Sequence, residues 1–136
     1  MENTVFMSIK EIHMNRILNK TKNHEFRNII PKNKVEYIIV YIPTPIKEIK
    51  YILQVDKQVC VPNIISTNGI GNEEFNLGIK SRYAYPIKHV FELNQGIRLE
   101  ELKSKYKFTA PQSFAYGEKY TELLKYIEET ESKKIY

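Results

Sequence analysis

The chain has 136 residues, 42% of them apolar and 27% charged, with a formal net charge of +5. That length suits one domain, residues 1–136, with one core, and the apolar share excludes a disordered chain. The positive balance favours a polyanionic partner such as nucleic acid, or an acidic surface.

Ten tyrosines accompany no tryptophan, and Tyr serves barrel interiors, interfaces and base-stacking surfaces alike. A single cysteine, Cys60 between Val59 and Val61, rules out an intrachain disulfide. It reads as a small buried hydrophobe in a reducing, cytoplasmic setting. His13, His24, Cys60 and His89 have no compact metal-ligand spacing, so neither metal nor cofactor is expected. No run approaches the roughly 20 apolar residues of a membrane span, and the first ten residues lack a positive-then-apolar signal sequence.

In chain order, Thr4 to Ile9 predicts a strand with Val5 and Met7 on one face and Phe6 and Ser8 on the other. Ser8 and Glu11 have capping-box spacing, and Met14, Ile17 and Leu18 form the apolar stripe of a helix ending by Asn19 or Lys20. His13 and Arg16 flank that stripe and read as surface residues.

The stretch Lys20-Thr21-Lys22-Asn23-His24-Glu25-Phe26-Arg27 then concentrates charge ahead of Pro31. Read as extended from Lys22, it sets Lys22, His24 and Phe26 against Asn23, Glu25 and Arg27, with Phe26 as an inward anchor. Its functional reading is a pocket or phosphate site; its plainer reading is a solvated basic loop.

Val35 to Ile42 predicts a strand apolar on both faces, hence covered on both sides, and Pro43 and Pro45 end it. Ile49 to Val55 alternates as a half-solvated strand that is expected to run on toward Val61. Residues 63–78 are mixed, with turn signals at Gly69 and Gly71 and a short helix at Asn72-Glu73-Glu74-Phe75. Tyr83 to Phe91 predicts another long strand, which Pro86 assigns to an edge or a bulge. Gly96 is expected to turn the chain into a brief helix at Leu99. Ala110 to Gly117 reads as a loop rich in aromatic and amide groups, and Tyr120, Leu123, Leu124 and Ile127 mark a C-terminal helix. Long strands between short helices, with no regular βα repeat, indicate a compact α+β barrel and not a doubly wound sheet.

Lys22, Glu25 and Arg27, after a short helix and before Pro31, resemble the G-x-K-x-x-E-x-R signature of the ASCH domain in the PUA-like superfamily. Ser8-Ile9-Lys10, Tyr41-Ile42-Pro43-Thr44-Pro45, Tyr85-Pro86-Ile87-Lys88 and Pro111-Gln112-Ser113-Phe114 resemble further segments of such domains. The resemblance implies a PUA-like small mixed β-barrel with short helices, and a cleft lined by the motif that binds RNA or a modified nucleoside or nucleotide. Lys20 stands in the place of the family's glycine, which suggests a turn that needs no positive φ or a loop built differently.

Some family members are amidohydrolases acting on acylated cytidine. In those enzymes the residue matching Lys22 is the catalytic base or nucleophile activator, helped by a threonine three residues on, where this chain has Glu25. A later glutamate completes their set, for which Glu73 and Glu74 are the candidates here. As ligand contacts the segment offers Lys20, Lys22, Glu25, Arg27 and Asn28. Tyr41, Tyr83 and Phe114 are stacking candidates, Arg82 a backbone contact, and Gln112 and Ser113 readers of a base edge. Tyr85 fits core filling better. A regulatory domain whose basic loop meets an acidic protein is the third reading.

Overall fold

The computed structural model describes residues 1–136. Eight strands form one curled, mixed sheet: β1 (Thr4–Ser8), β2 (His24–Arg27), β3 (Tyr37–Ile42), β4 (Glu48–Val55), β5 (Val59–Cys60), β6 (Tyr83–Arg98), β7 (Ala115–Tyr116) and β8 (Ser132–Lys134). The order is β2-β6-β4-β3-β1-β7, with β5 and β8 also on β6. Only β1 and β3 run parallel; the other pairs are antiparallel. The end strands β2 and β7 do not pair, so the sheet curls into a half-barrel with a seam. Four short helices cover it: α1 (Glu11–Leu18), α2 (Asn72–Asn76), α3 (Leu99–Tyr106) and α4 (Thr121–Glu129). The α+β expectation is met.

The expectation for β3 is met for a visible reason. Ile38, Val40 and Ile42 join Val5, Met7, Leu53 and Val90 in a core beneath α1, where Met14 and Ile17 are buried. Ile39 and Tyr41 face the other way, into a second core with Phe6, Ile52 and Leu93 beneath α3 and α4. Each face thus has its own helical cover. In α4 the stripe delivers Leu123 and Ile127, both essentially inaccessible, each contributing about 1.5–3 kcal/mol of burial.

Several expectations fail. Ser8 ends β1 and does not cap α1: Lys10 is the N-cap residue without a side-chain bond, and Ser8 Oγ donates to the Pro111 carbonyl at 2.9 Å. β4 stops at Val55, and Val59–Cys60 is a separate strand on β6. Cys60 is exposed because this two-residue strand lies at a sheet edge. Of the two positions expected for Pro86, the bulge holds and the edge does not: β6 pairs with β2 and β4 around it, and a register shift between Gln54 and Val55 accommodates it. Gly96 does not turn the chain out of the sheet. It stays within β6 at a second register break, where a Cβ would stand 2.7 Å from Glu48 Oε2. β8, a strand of three exposed residues after α4, carries no apolar alternation that would have announced it.

Candidate functional site

The site is built around β2. Helix α1 ends with Asn19, and Lys20 takes φ +68°, bonding its N–H to the Ile17 carbonyl at 3.1 Å. This is the left-handed residue that commonly terminates helices, so the turn does need positive φ and a lysine adopts it. Thr21 closes the corner through Asn19 Oδ1, and Lys22 bonds back to the Arg16 carbonyl at 3.0 Å. Only then does the chain extend, from His24, pairing Glu25 with Tyr85 and Arg27 with Tyr83.

Two faces follow. His24 and Phe26 lie on one, their rings 6.4 Å apart and nearly parallel, and Phe26 packs on Phe75 at 5.9 Å. Phe26 is therefore an anchor for α2, though it also borders the cavity described below. Glu25 and Arg27 lie on the other face, toward the seam. Lys22 precedes the strand and escapes its alternation: its ammonium is 3.5 Å from Glu25 Oε1 and 5.4 Å from the Phe26 ring centre.

Arg27 closes the seam. Its Nε donates to Glu25 Oε2 at 3.0 Å, Nη1 to the Ser113 carbonyl at 3.1 Å, and Nη2 to the Ser8 carbonyl at 2.9 Å. Nη2 is also 2.9 Å from Glu25 Oε2. One guanidinium so ties β2 to the end of β1 and to the loop before β7. With three of its five N–H groups hydrogen-bonded within the protein, it is committed first to holding the seam.

Glu25 is held between two cations, its side chain 7% exposed. Oε1 has the Lys22 charge beside it but no aligned hydrogen bond. Burial pushes the Lys22 ammonium below its ordinary pKa, the Glu25 carboxylate opposing the shift in part. Burial also holds His24 down at about 4, so its ring is neutral near pH 7. His24 Nδ1 lies 2.7 Å from Asn23 Oδ1, which also accepts from Asn72 Nδ2 at 2.9 Å, while Asn23 Nδ2 donates to the Asn68 carbonyl. Asn23 thus presents its oxygen to His24, which requires the N–H on Nδ1. This clasp fixes the segment before α2 against β2.

Above Glu25 and Arg27 opens a cavity of about 370 Å³, at the small end of the 300–1,000 Å³ usual for ligand pockets. Only Ile9, Phe26 and Ile29 are apolar among its twelve lining residues. Of the residues the sequence singled out, Glu25, Arg27, Asn28, Gln112 and Ser113 meet here. Lys22 stands behind Glu25, outside the lining.

The others lie elsewhere. Lys20 is exposed, its ammonium 4.8 Å from the Tyr136 ring centre. Tyr41 is buried in the second core against Phe108, and burial raises its hydroxyl pKa. Phe114 packs edge-on against Tyr116 beside the first core. Arg82 borders a neighbouring depression, and Tyr83 is a sheet partner of Arg27 outside the lining. Glu73 and Glu74 are exposed on α2, also outside the lining. Tyr85 is buried in the first core, its pKa pushed up to about 12.

Ser8, Lys10, His13 and Ser81 line the cavity without having been singled out as contacts. His13 reads as the edge of an amphipathic helix, yet α1 turns it into the seam. Burial and the nearby Lys22 charge lower its pKa, and its Nδ1 is buried without a partner. No cluster of three or more His, Cys, Asp or Glu side chains is arranged to hold a metal ion. No helix is long and apolar enough to cross a membrane.

No protein-family model matches the chain, and no curated protein sequence matches it. Solved structures do. A serine-to-alanine variant of the ASCH protein ZmASCH from Zymomonas mobilis superposes with a TM-score of 0.69 at 19% identity, over 95% of this chain and 97% of that one. A tyrosine-to-phenylalanine variant of the same protein gives 0.69 at 19% identity, over 96% and 100%. A third ZmASCH structure gives 0.67 at 18%, over 95% and 96%. The chain has the same fold as the ASCH protein ZmASCH.

Proposed function

We propose that the seam cavity binds a nucleotide-like ligand, either free or as a unit of RNA. The observation that carries this reading is the buried charge cluster in which Glu25 and Arg27 form the wall of a small, polar cavity and Lys22 stands behind them. Glu25 Oε1 is buried against Lys22, which leaves Oε2, held in place by Arg27, as the preorganised acceptor for an amino or imino N–H group of a base. The Asn28 and Gln112 amides add donors and acceptors around it, and the cluster's net positive charge suits an attached phosphate. The ASCH-type fold and the chain's overall positive charge support the same reading.

Filter binding of single-stranded and duplex RNA across a salt series tests it. Salt-dependent binding is expected, weakened about 5- to 10-fold by Gln112→Ala, the equivalent of one lost hydrogen bond at about 1 kcal/mol. Absence of binding at low ionic strength refutes it.

A second reading has its own observation. A lysine acts as a base only when its pKa falls toward neutrality, and burial shifts Lys22 in that direction. Hydrolysis of N4-acylated cytidines by the wild type and by Lys22→Ala decides the matter; equal background turnover from both ends the hydrolase reading.

A further inference from the structure

The cavity has a neighbour. Asn28 and Ser81 also line a second depression, of about 400 Å³, whose other walls are Val61, Gly78, Ile79, Lys80 and Arg82. The ridge between the two is held by the Arg82 backbone N–H, which donates to Asn28 Oδ1 at 3.2 Å. No carboxylate lines this second depression. Neither of its two cations takes part in an ion pair. The Lys80 ammonium only passes 5.1 Å from the Phe26 ring centre. Val61 and Ile79 are 43% and 72% exposed beside them. Unpaired cations on a concave surface concentrate positive potential, and exposed aliphatic side chains between them supply an apolar floor.

We propose that this second depression is a subsite for the adjoining nucleotide of a single-stranded polynucleotide, Lys80 and Arg82 meeting its phosphodiester while Val61 and Ile79 lie under its sugar and base. The inference rests on the reading that the seam cavity takes a nucleotide, and it names the ligand class: a strand, not a free nucleoside. Two concavities divided by one hydrogen-bonded ridge match the alternation of base and phosphate along a strand. A paired base in a duplex does not enter a cavity unless it is flipped out of the stack. An acidic peptide would match the two cations, but its Asp and Glu side chains supply no N–H donor for the Glu25 carboxylate in the cavity beyond the ridge.

The test uses the whole chain and the double variant Lys80→Ala/Arg82→Ala. Both side chains are exposed, and the Asn28 bond uses the Arg82 backbone, so the variant is expected to melt with the wild type. Probes are the four ribonucleoside 5′-monophosphates, a short mixed-sequence single-stranded RNA, and poly-glutamate. The double variant is expected to bind the RNA about tenfold more weakly, with the log–log salt slope lowered by about 1.4 for two lost phosphate contacts, and to bind the monophosphates as the wild type does.

Unchanged RNA affinity and slope in the variant overturn the subsite and leave the seam cavity standing. So does a wild type that binds RNA no better than a monophosphate. Poly-glutamate that binds as tightly as RNA, and suffers equally in the variant, replaces the polynucleotide with an acidic protein. A wild type that binds neither monophosphates nor RNA overturns the nucleotide reading of the seam cavity itself.

Discussion

Replacing Arg27 by alanine isolates the energy of the seam. The substitution removes both guanidinium contacts to Glu25 Oε2, at 2.9 and 3.0 Å, and leaves that carboxylate facing only the Lys22 ammonium at 3.5 Å. Breaking one partner of a buried pair costs about 3–5 kcal/mol. Because the Arg27 side chain is 15% exposed and Lys22 remains, the lower end, about 3 kcal/mol, is expected. The Ser8 and Ser113 carbonyls border the cavity, where water replaces the lost donors, and they add little.

At about 2.1 cal/mol/K of unfolding entropy per residue, 136 residues convert this into a fall in Tm of about 10 °C. Urea unfolding with an unchanged m-value is the assay, supported by the cycle with Glu25→Gln, whose coupling energy is expected to exceed about 1.5 kcal/mol. A loss below about 1 kcal/mol, the worth of a surface pair, refutes the seam-closing role. Arg27→Lys is expected to recover less than half of the loss, since an ammonium does not span three segments in one plane.

His24 makes stability pH-dependent. Its folded pKa of about 4 lies below the ordinary 6.5, so the unfolded chain binds the proton first. The stabilisation from the neutral ring is complete above pH 6.5 and is lost as pH falls toward 4, by about 3 kcal/mol at one pKa unit per 1.36 kcal/mol. The difference between wild type and His24→Gln in urea titrations should grow with pH over that window; a constant difference refutes it. Gly69→Ala places a Cβ 2.7 Å from Asn23 Oδ1 and 2.9 Å from Asn72 Nδ2, and is expected to cost about 1–3 kcal/mol. Faster amide exchange across residues 63–79 reports it, and unchanged protection refutes the clasp. At Lys20, φ +68° predicts that Lys20→Val destabilises by about 1–2 kcal/mol whereas Lys20→Gly does not; equal effects in denaturant melts refute the strain.

The sheet's double-faced cores were legible because β3 is apolar at every position from Ile38 to Ile42, a pattern only a strand covered on both sides tolerates. Helix α4 declared itself by spacing. The limits of β6 were not legible, since sixteen residues with a proline and a glycine look like two strands and a turn. Register breaks, which depend on partner strands and not on local sequence, absorb both. At the site, charge density drew attention to Lys22–Arg27, but alternation misplaced Lys22 because the helix exit delays the strand until His24. Tyr41 and Phe114 looked like stacking residues by type. Which face of a strand is concave is a tertiary property, and both turned into packed layers. Ser8 was hidden for the converse reason: its partners across the seam, Arg27 and Pro111, are far away in sequence, and His13 reaches the cavity only because the fold brings Ser81, Gln112 and Ser113 to the same lining.

The pairing of β2 solely with β6 also sets an order of assembly during synthesis. β1, β3 and β4 pair among themselves within the first 55 residues. The charged segment at Lys22 to Arg27 has no strand partner until Tyr83–Pro86 emerges, about 3–11 s later at 5–20 residues per second. Its link to Ser113 waits for 86 residues, about 4–17 s on the same clock. The nascent chain thus carries its cluster of opposite charges in water until the scaffold for it exists. Solvation of Lys22, Glu25 and Arg27 during that interval keeps the unpaired segment soluble, and the same charges become a buried wall once β6 arrives.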